Sequence, residues 1–199
     1  MDKTFWNERF GEPGFMYGDQ PNDFLKAQAH TLKPGGKILC LAEGEGRNAV
    51  YLATQGCDVT CVDFSESGLK KTQQLAETHW VSVCTECADL SHYEIEHEAW
   101  DGIVMIFGHF DEDLRTSLYQ RMSAGLKPGG TLLMEVYSKE QLSFGTGGPK
   151  TIEFLNSKHE LEAAFAEFSS VSIQEVTREI KEGAFHNGMS ATVQVQCIK

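Results

Sequence analysis

The sequence predicts an α/β three-layer sandwich in which five parallel strands are followed by a C-terminal antiparallel hairpin, seven strands in one sheet. Three observations lead there. Apolar runs of strand length alternate with helical patterns as far as residue 137, the signature of a parallel sheet covered on both faces. The last two strand-like runs are joined by a stretch too short for a helical crossover, so they pair as a hairpin. One strand-like run, Lys37-Ile-Leu-Cys-Leu-Ala42, opens into a loop with two glycines and then a helical segment, Glu43-Gly44-Glu45-Gly46-Arg47-Asn48-Ala49. A parallel sheet presents a nucleotide-type ligand to a helix N-terminus in this way, with glycine backbone free to approach it.

The elements follow in order. Strands are expected over 37–42, 58–64, 81–87, 102–107 and 131–137, with helices over 47–55, 66–78 and 112–126. Ser65 and Asp111 stand where helix N-caps belong, and Leu114, Leu118 and Met122 share one helical face. Strands one, four and five read as apolar throughout, as central strands do. Lys-Pro-Gly-Gly occurs at 33–36 and again at 127–130, and both copies read as helix-to-strand turns. The link from Asp89 to Trp100 has room for one or two helical turns. Ser157-Lys-His-Glu160 reads as a capping box before an apolar stripe of Leu161, Ala164, Phe165 and Phe168. Hairpin strands are expected over 171–180 and 190–198, which leaves His186 in the connecting loop. Residues 1–199 form a single domain, with 1–30 as an N-terminal flap and helix over the site; Phe5, Trp6, Phe10, Phe15 and Tyr17 are too many aromatics for a free tail.

Composition narrows the function. A formal net charge of -12 repels phosphate backbones and argues against nucleic acid, leaving a small molecule as the expected partner of a monomer or homodimer. No apolar run is long enough to span a bilayer, so no membrane partner is expected. The first residues lack the basic and then apolar regions of a signal peptide, so the chain is expected in the cytoplasm with its six cysteines reduced. Cys40, Cys61, Cys84 and Cys197 fall in strands and read as buried small hydrophobes. Cys84-Thr-Glu-Cys87 has metal-ligand spacing without a second pair, and no metal is expected.

The glycine loop fits the dinucleotide pattern Gly44-x-Gly46-x-x-Ala49, yet Glu43 and Glu45 oppose a pyrophosphate and no second domain is left to hold a hydride acceptor. A cationic, phosphate-free cofactor fits better: S-adenosylmethionine. Carboxylates at the loop suit its sulfonium and ammonium, backbone amides from Gly44 to Arg47 suit its carboxylate, and Asp63, ending the second strand, suits the ribose diol.

Several blocks carry a resemblance: Trp6-Asn-Glu-Arg9-Phe10, Tyr17-Gly-Asp-Gln-Pro21-Asn22-Asp-Phe24-Leu25, Glu43-Gly-Glu-Gly-Arg-Asn48, Phe107-Gly-His109, Gln141-Leu-Ser-Phe-Gly-Thr-Gly-Gly-Pro149 and Glu182-Gly-Ala-Phe-His186-Asn-Gly188. Over almost its whole length the chain resembles class I S-adenosylmethionine-dependent methyltransferases, a Rossmann-like fold, and within them the small bacterial group related to tellurite-resistance and thiopurine methyltransferases. Cys40 and Ala42 stand where the superfamily usually has an acidic residue and a glycine; the resemblance implies that the acidic role has moved to Glu43. The resemblance implies that Asp89 receives the adenine amino group, that Leu90 packs on the ring and that the N-terminal segment folds over the bound cofactor. Phe64 is placed either to cover the other ring face or to pack in the core. Glu43, Gly44, Glu45, Gly46, Arg47, Asn48, Asp63, Phe64, Ser65, Asp89, Leu90, Ile106 and Phe107 form the expected cofactor site.

Methyl transfer is an in-line displacement at a carbon that positive sulfur already activates, so alignment in a dry pocket matters most. A base is needed only where the nucleophile carries a proton. His109, His186 and Tyr137 are the candidates, each against the alternative of a packing or loop role. Gly145 to Pro149 reads as a mobile cover. The expected acceptor is a small molecule, such as a thiol or a tellurium or selenium oxyanion. Two rival readings stay open: a nicotinamide-dependent reductase, and a cofactor-binding protein that has lost catalysis.

Overall fold

The computed structural model of the chain describes residues 3–199; residues 1 and 2 of the expected flap lie outside them. The strands are β1 (Lys37–Leu41), β2 (Asp58–Asp63), β3 (Cys84–Cys87), β4 (Trp100–Ile106), β5 (Leu126–Tyr137), β6 (Ser170–Glu182) and β7 (His186–Ile198). They form one seven-stranded sheet in the order β3-β2-β1-β4-β5-β7-β6. β1 to β5 are parallel, and β7 runs antiparallel to both β5 and β6. The fold class is therefore the expected one, and the apolar strands β1, β4 and β5 are central.

Helices α1 (Lys3–Gly11), α2 (Asp23–Gln28), α3 (Arg47–Thr54), α4 (Glu66–Thr78), α5 (Glu112–Gly125) and α6 (Lys158–Ala164) surround the sheet. Alternation along β1 creates its two cores. Ile38 and Cys40 join Leu52 of α3 and Leu75 of α4, while Leu39 and Leu41 join Leu118 and Met122 of α5 and Phe165 after α6. The caps form as read: Ser65 Oγ accepts from Gly68 N, Asp111 from Leu114 N, and Ser157 with Glu160 makes a capping box, each contributing about 1 kcal/mol.

Five expectations are corrected. β3 begins at Cys84 rather than at residue 81, because the Val83 carbonyl takes the Gln73 side-chain amide instead of a neighbouring strand. On this short edge strand Cys84 and Cys87 are exposed, whereas Cys40, Cys61 and Cys197 are buried. The second Lys-Pro-Gly-Gly is a bulge inside β5, where the pairing with β4 shifts register between Trp100 and Gly102. The link at 88–99 holds turns only, one of them closed by the Asp89 carboxylate on Ser91 N. Finally, β7 starts at His186, paired with Glu182, so His186 is a buried strand residue and the turn shrinks to 183–185.

Candidate functional site

β1, β2 and β4 end at one edge of the sheet, where a cavity of about 440 Å³ opens. Two strand ends there take left-handed backbone, Ala42 at φ 52 and Phe107 at φ 56, a conformation costing on the order of 1–3 kcal/mol that folds retain mainly at functional sites. It also explains why glycine suits the position of Ala42. Residues of the N-terminal segment, Trp6, Phe10, Tyr17 and Gly18, share the wall.

Asp63 is buried at the end of β2. Its two carboxylate oxygens accept from Gly44 N (2.9 Å) and Ser65 N (2.8 Å), which fixes the glycine loop against the strand. Burial raises its pKa, with the amide bonds opposing. Glu43 accepts from Asn48 N (2.9 Å) and Ala49 N (2.8 Å) with Oε1 alone, capping α3 from inside the loop. Burial pushes its carboxyl up to about 7 against those amides and the Arg47 charge. Asp89 is exposed, and the Ser91 amide and hydroxyl hold its pKa down.

Glu43, Gly44, Glu45, Arg47, Asn48, Asp63, Phe64, Asp89, Leu90, Ile106 and Phe107 line the cavity; Gly46, Ser65 and Tyr137 do not. Gly46 serves packing: a Cβ there would sit 2.4 Å from the Thr72 methyl of α4, and one on Gly44 would sit 2.9 Å from the Phe10 ring. The close approach at these glycines thus admits α4 and α1. The amide run also differs from expectation, since Gly44 N is taken by Asp63 and Gly46 N by the Glu43 carbonyl. Buried N–H groups do not wait unpaired, and these two amides are satisfied within the protein. The Glu45 side chain turns to the N-terminal segment, accepting from Met16 N (2.8 Å). Asn48 Oδ1 accepts from Asn22 N.

The far wall is aromatic. Phe107 stacks on Tyr137 (4.6 Å), and the His186 ring meets Phe107 at 4.9 Å and Tyr17 at 4.5 Å. Burial and the neighbouring His186 push His109 down to about 3, and burial lowers His186 as well, against the pull of Glu182. Tyr137 lies behind Phe107, its ring covered from outside by Gly148 and its hydroxyl buried without a hydrogen-bond partner among the described residues. The 145–149 loop therefore packs on Tyr137 and takes no place on the cavity wall.

Sequence reasoning missed a buried ionic cluster behind this wall. Glu135 of β5, fully buried, accepts from Arg178 Nε (2.9 Å) and Nη2 (2.7 Å), Asn22 Nδ2 (2.6 Å) and Gln194 Nε2 (2.8 Å). Glu182 accepts from Arg47 Nη2 (2.6 Å) and stands 3.9 Å from His186 Nδ1. Burial would raise the Glu182 pKa, but His186 and Arg47 hold it below the usual range. A lone acid inside the apolar run 131–137 was the available signal. Phe110 and Phe154, also on the cavity wall, carried none. Among the described residues no group of three or more His, Cys, Asp or Glu is placed to hold a metal, and no helix is long and apolar enough to cross a membrane.

Comparison with known proteins places this geometry. Residues 38–130 match the family described as "Methyltransferase domain". The chain is 35% identical over 71 residues to the uncharacterized methyltransferase YbaJ of Bacillus subtilis, covering 35% of this chain and 28% of that protein. It is 25% identical over 142 residues to the probable S-adenosyl-L-methionine-dependent methyltransferase TehB of Haemophilus influenzae, covering 70% of this chain and 48% of TehB. The chain thus spans about half or less of the length of these curated relatives. The crystal structure of Haemophilus influenzae TehB superposes with a TM-score of 0.69 at 19% identity, covering 99% of this chain and 66% of that one. A structure described as "Conversion of a Disulfide Bond into a Thioacetal Group during Echinomycin Biosynthesis" superposes with a TM-score of 0.76 at 16% identity, covering 100% and 89%. The seven-stranded sheet, the methyltransferase-domain match over the glycine loop and the similarity to the probable S-adenosyl-L-methionine-dependent methyltransferase TehB together support a class I S-adenosylmethionine-dependent methyltransferase.

Proposed function

We propose that the chain transfers a methyl group from S-adenosylmethionine to a small, soft nucleophile. The observation that carries this reading is the pair of buried carboxylates, Glu43 and Asp63, whose hydrogen bonds come from backbone amides, beside a cavity with an aromatic far wall. Such carboxylates favour a cation, and burial makes a cationic guest count for more than it would in water. In this reading Asp63 accepts from the ribose hydroxyls, Glu43 faces the positive end of the cofactor, and Asp89 receives the adenine amino group through its unengaged oxygen. Leu90 and Phe64 cover the ring, and the Glu45 and Arg47 amides meet the carboxylate.

Bound S-adenosylmethionine supplies an electrophilic methyl carbon. The chain's own task is to hold the acceptor in line with it and to exclude water, alignment worth on the order of 7–11 kcal/mol. Of the three candidates, His186 on the cavity wall is the one placed to take a proton from an acceptor that carries one; burial leaves His109 too weak a base, and Tyr137 backs the Phe107 wall. Of the cations on the cavity wall, Arg47 is bound to Glu182 and Lys3 reaches Glu66. With those charges engaged, a thiol suits the site better than a tellurium or selenium oxyanion. The expected assembly is a monomer or homodimer in the cytoplasm.

A thermal-shift assay tests the cofactor. S-adenosylmethionine should raise the melting temperature and NAD should leave it unchanged; a response to NAD alone would overturn the reading. Incubation with thiols, tellurite and selenite, followed by assay of S-adenosylhomocysteine, then tests turnover and separates an enzyme from a catalytically silent binder.

A further inference from the structure

We propose that Glu45 and Lys71 form a latch that holds the N-terminal segment shut over the cavity and sets how fast the nucleoside leaves; this rests on the cofactor reading above. Glu45 lies in the glycine loop, but its carboxylate serves the segment. Oε2 accepts from Met16 N (2.8 Å) and Tyr17 N (3.4 Å), and Oε1 pairs with Lys71 Nζ of α4 at 2.8 Å. The same ammonium donates to the carbonyls of Glu12 and Gly14. Its three donors are all engaged on this loop and the segment. The pair is nearly dry, with side-chain exposures of 14% for Lys71 and 3% for Glu45.

The opposite side of the segment is held by the hairpin turn. Ala184 N donates to the Met16 carbonyl (3.1 Å). A Cβ on Gly183, which has φ +68, would lie 2.4 Å from that same oxygen, so the backbones touch. Tyr17, carried between these two grips, meets the His186 ring and lines the cavity. A nucleoside under this roof leaves only when the segment lifts. The charge pair is the part of the grip that links the segment to the cofactor loop. Lys71 is absent from the cavity wall, so its influence on a ligand passes through the segment.

The test uses the full chain in a Trp80→Phe background, because Trp80 is 95% exposed and masks Trp6, while Trp100 is 4% exposed. Acrylamide quenching of Trp6 reads lid opening without ligand, and stopped-flow displacement of S-adenosylhomocysteine reads release. Lys71→Met should increase quenching and speed release by about thirtyfold or more, the usual consequence of truncating one partner of a buried charge pair. Glu45→Gln should act in the same direction, and Lys71→Arg should restore most of the effect. Unchanged quenching and release in Lys71→Met overturn the latch; raised quenching with unchanged release overturns its control of exit. If the parent chain takes no S-adenosylhomocysteine, the cofactor reading fails. Quenching alone then decides whether the latch exists.

Discussion

Two pairs of buried carboxylates lie close to one cavity and are satisfied in opposite ways. Glu43 and Asp63, at the ends of parallel strands, receive backbone amides, and burial raises both pKa values. Glu135 and Glu182, at the hairpin, receive guanidinium groups from Arg178 and Arg47. There the Glu182 pKa falls despite burial, and Arg178 is raised by its two carboxylate partners despite its own burial. A carboxylate bound to amides keeps most of its negative charge uncancelled; one bound to guanidinium does not. The first pair is suited to receive a cation from solution, and the second is a closed circuit that fixes the wall and, through Asn22, the entry to α2.

The contrast can be broken at four points. The largest effect is expected at Glu135. Glu135→Ala removes two hydrogen bonds from Arg178 in a buried setting, and breaking a buried pair costs about 3–5 kcal/mol, roughly a 10 °C fall in melting temperature at this size. A melting temperature within a degree or two of the parent would show that the circuit is not structural. Next is the pH behaviour of Glu43. Its carboxyl titrates near 7 when folded and at its ordinary 4.5 when unfolded, so folding binds a proton between those values. The associated stability is fully present below pH 4.5 and is lost as pH rises through 7. Glu43→Gln removes that loss. Denaturant titrations at pH 5 and pH 8 should show the variant gaining on the parent by on the order of 3 kcal/mol at the higher pH; a constant difference between them would contradict the uncancelled charge.

Binding variants sharpen the contrast further. Asp63→Ala should weaken S-adenosylhomocysteine by roughly 30- to 100-fold, the loss of charged hydrogen bonds of about 2–3 kcal/mol. Asp89→Ala, at an exposed and already engaged carboxylate, should cost only about fivefold, or ~1 kcal/mol. Calorimetry that reversed this order would reassign the ribose and adenine ends.

Local features were legible in the sequence and distant pairings were not. The strand-loop-helix unit around Gly44, the three caps and Asp63 at its strand end follow from residues a few positions apart, where backbone geometry leaves few alternatives. The ionic cluster joins Asn22 to Glu182, Arg47 to Glu182 and Glu135 to Arg178. No periodicity links such positions; only strand order brings them together. Glu45 misled for a similar reason. Its place beside the glycines argued for the cofactor, while Lys71 and the Met16 amide, both distant in sequence, claim its oxygens. The expected strands 171–180 and 190–198 leave His186 in a loop, whereas pairing with β6 runs on to Glu182.

The strand order has a consequence for biosynthesis. β7 is the last strand in the chain, yet it sits inside the sheet between β5 and β6. While the ribosome is still translating it, the twelve residues of β5 present an unpaired, largely apolar border, the kind of surface that invites intermolecular association. Chains truncated before residue 186 should therefore engage chaperones more strongly than chains that carry the thirteen residues of β7.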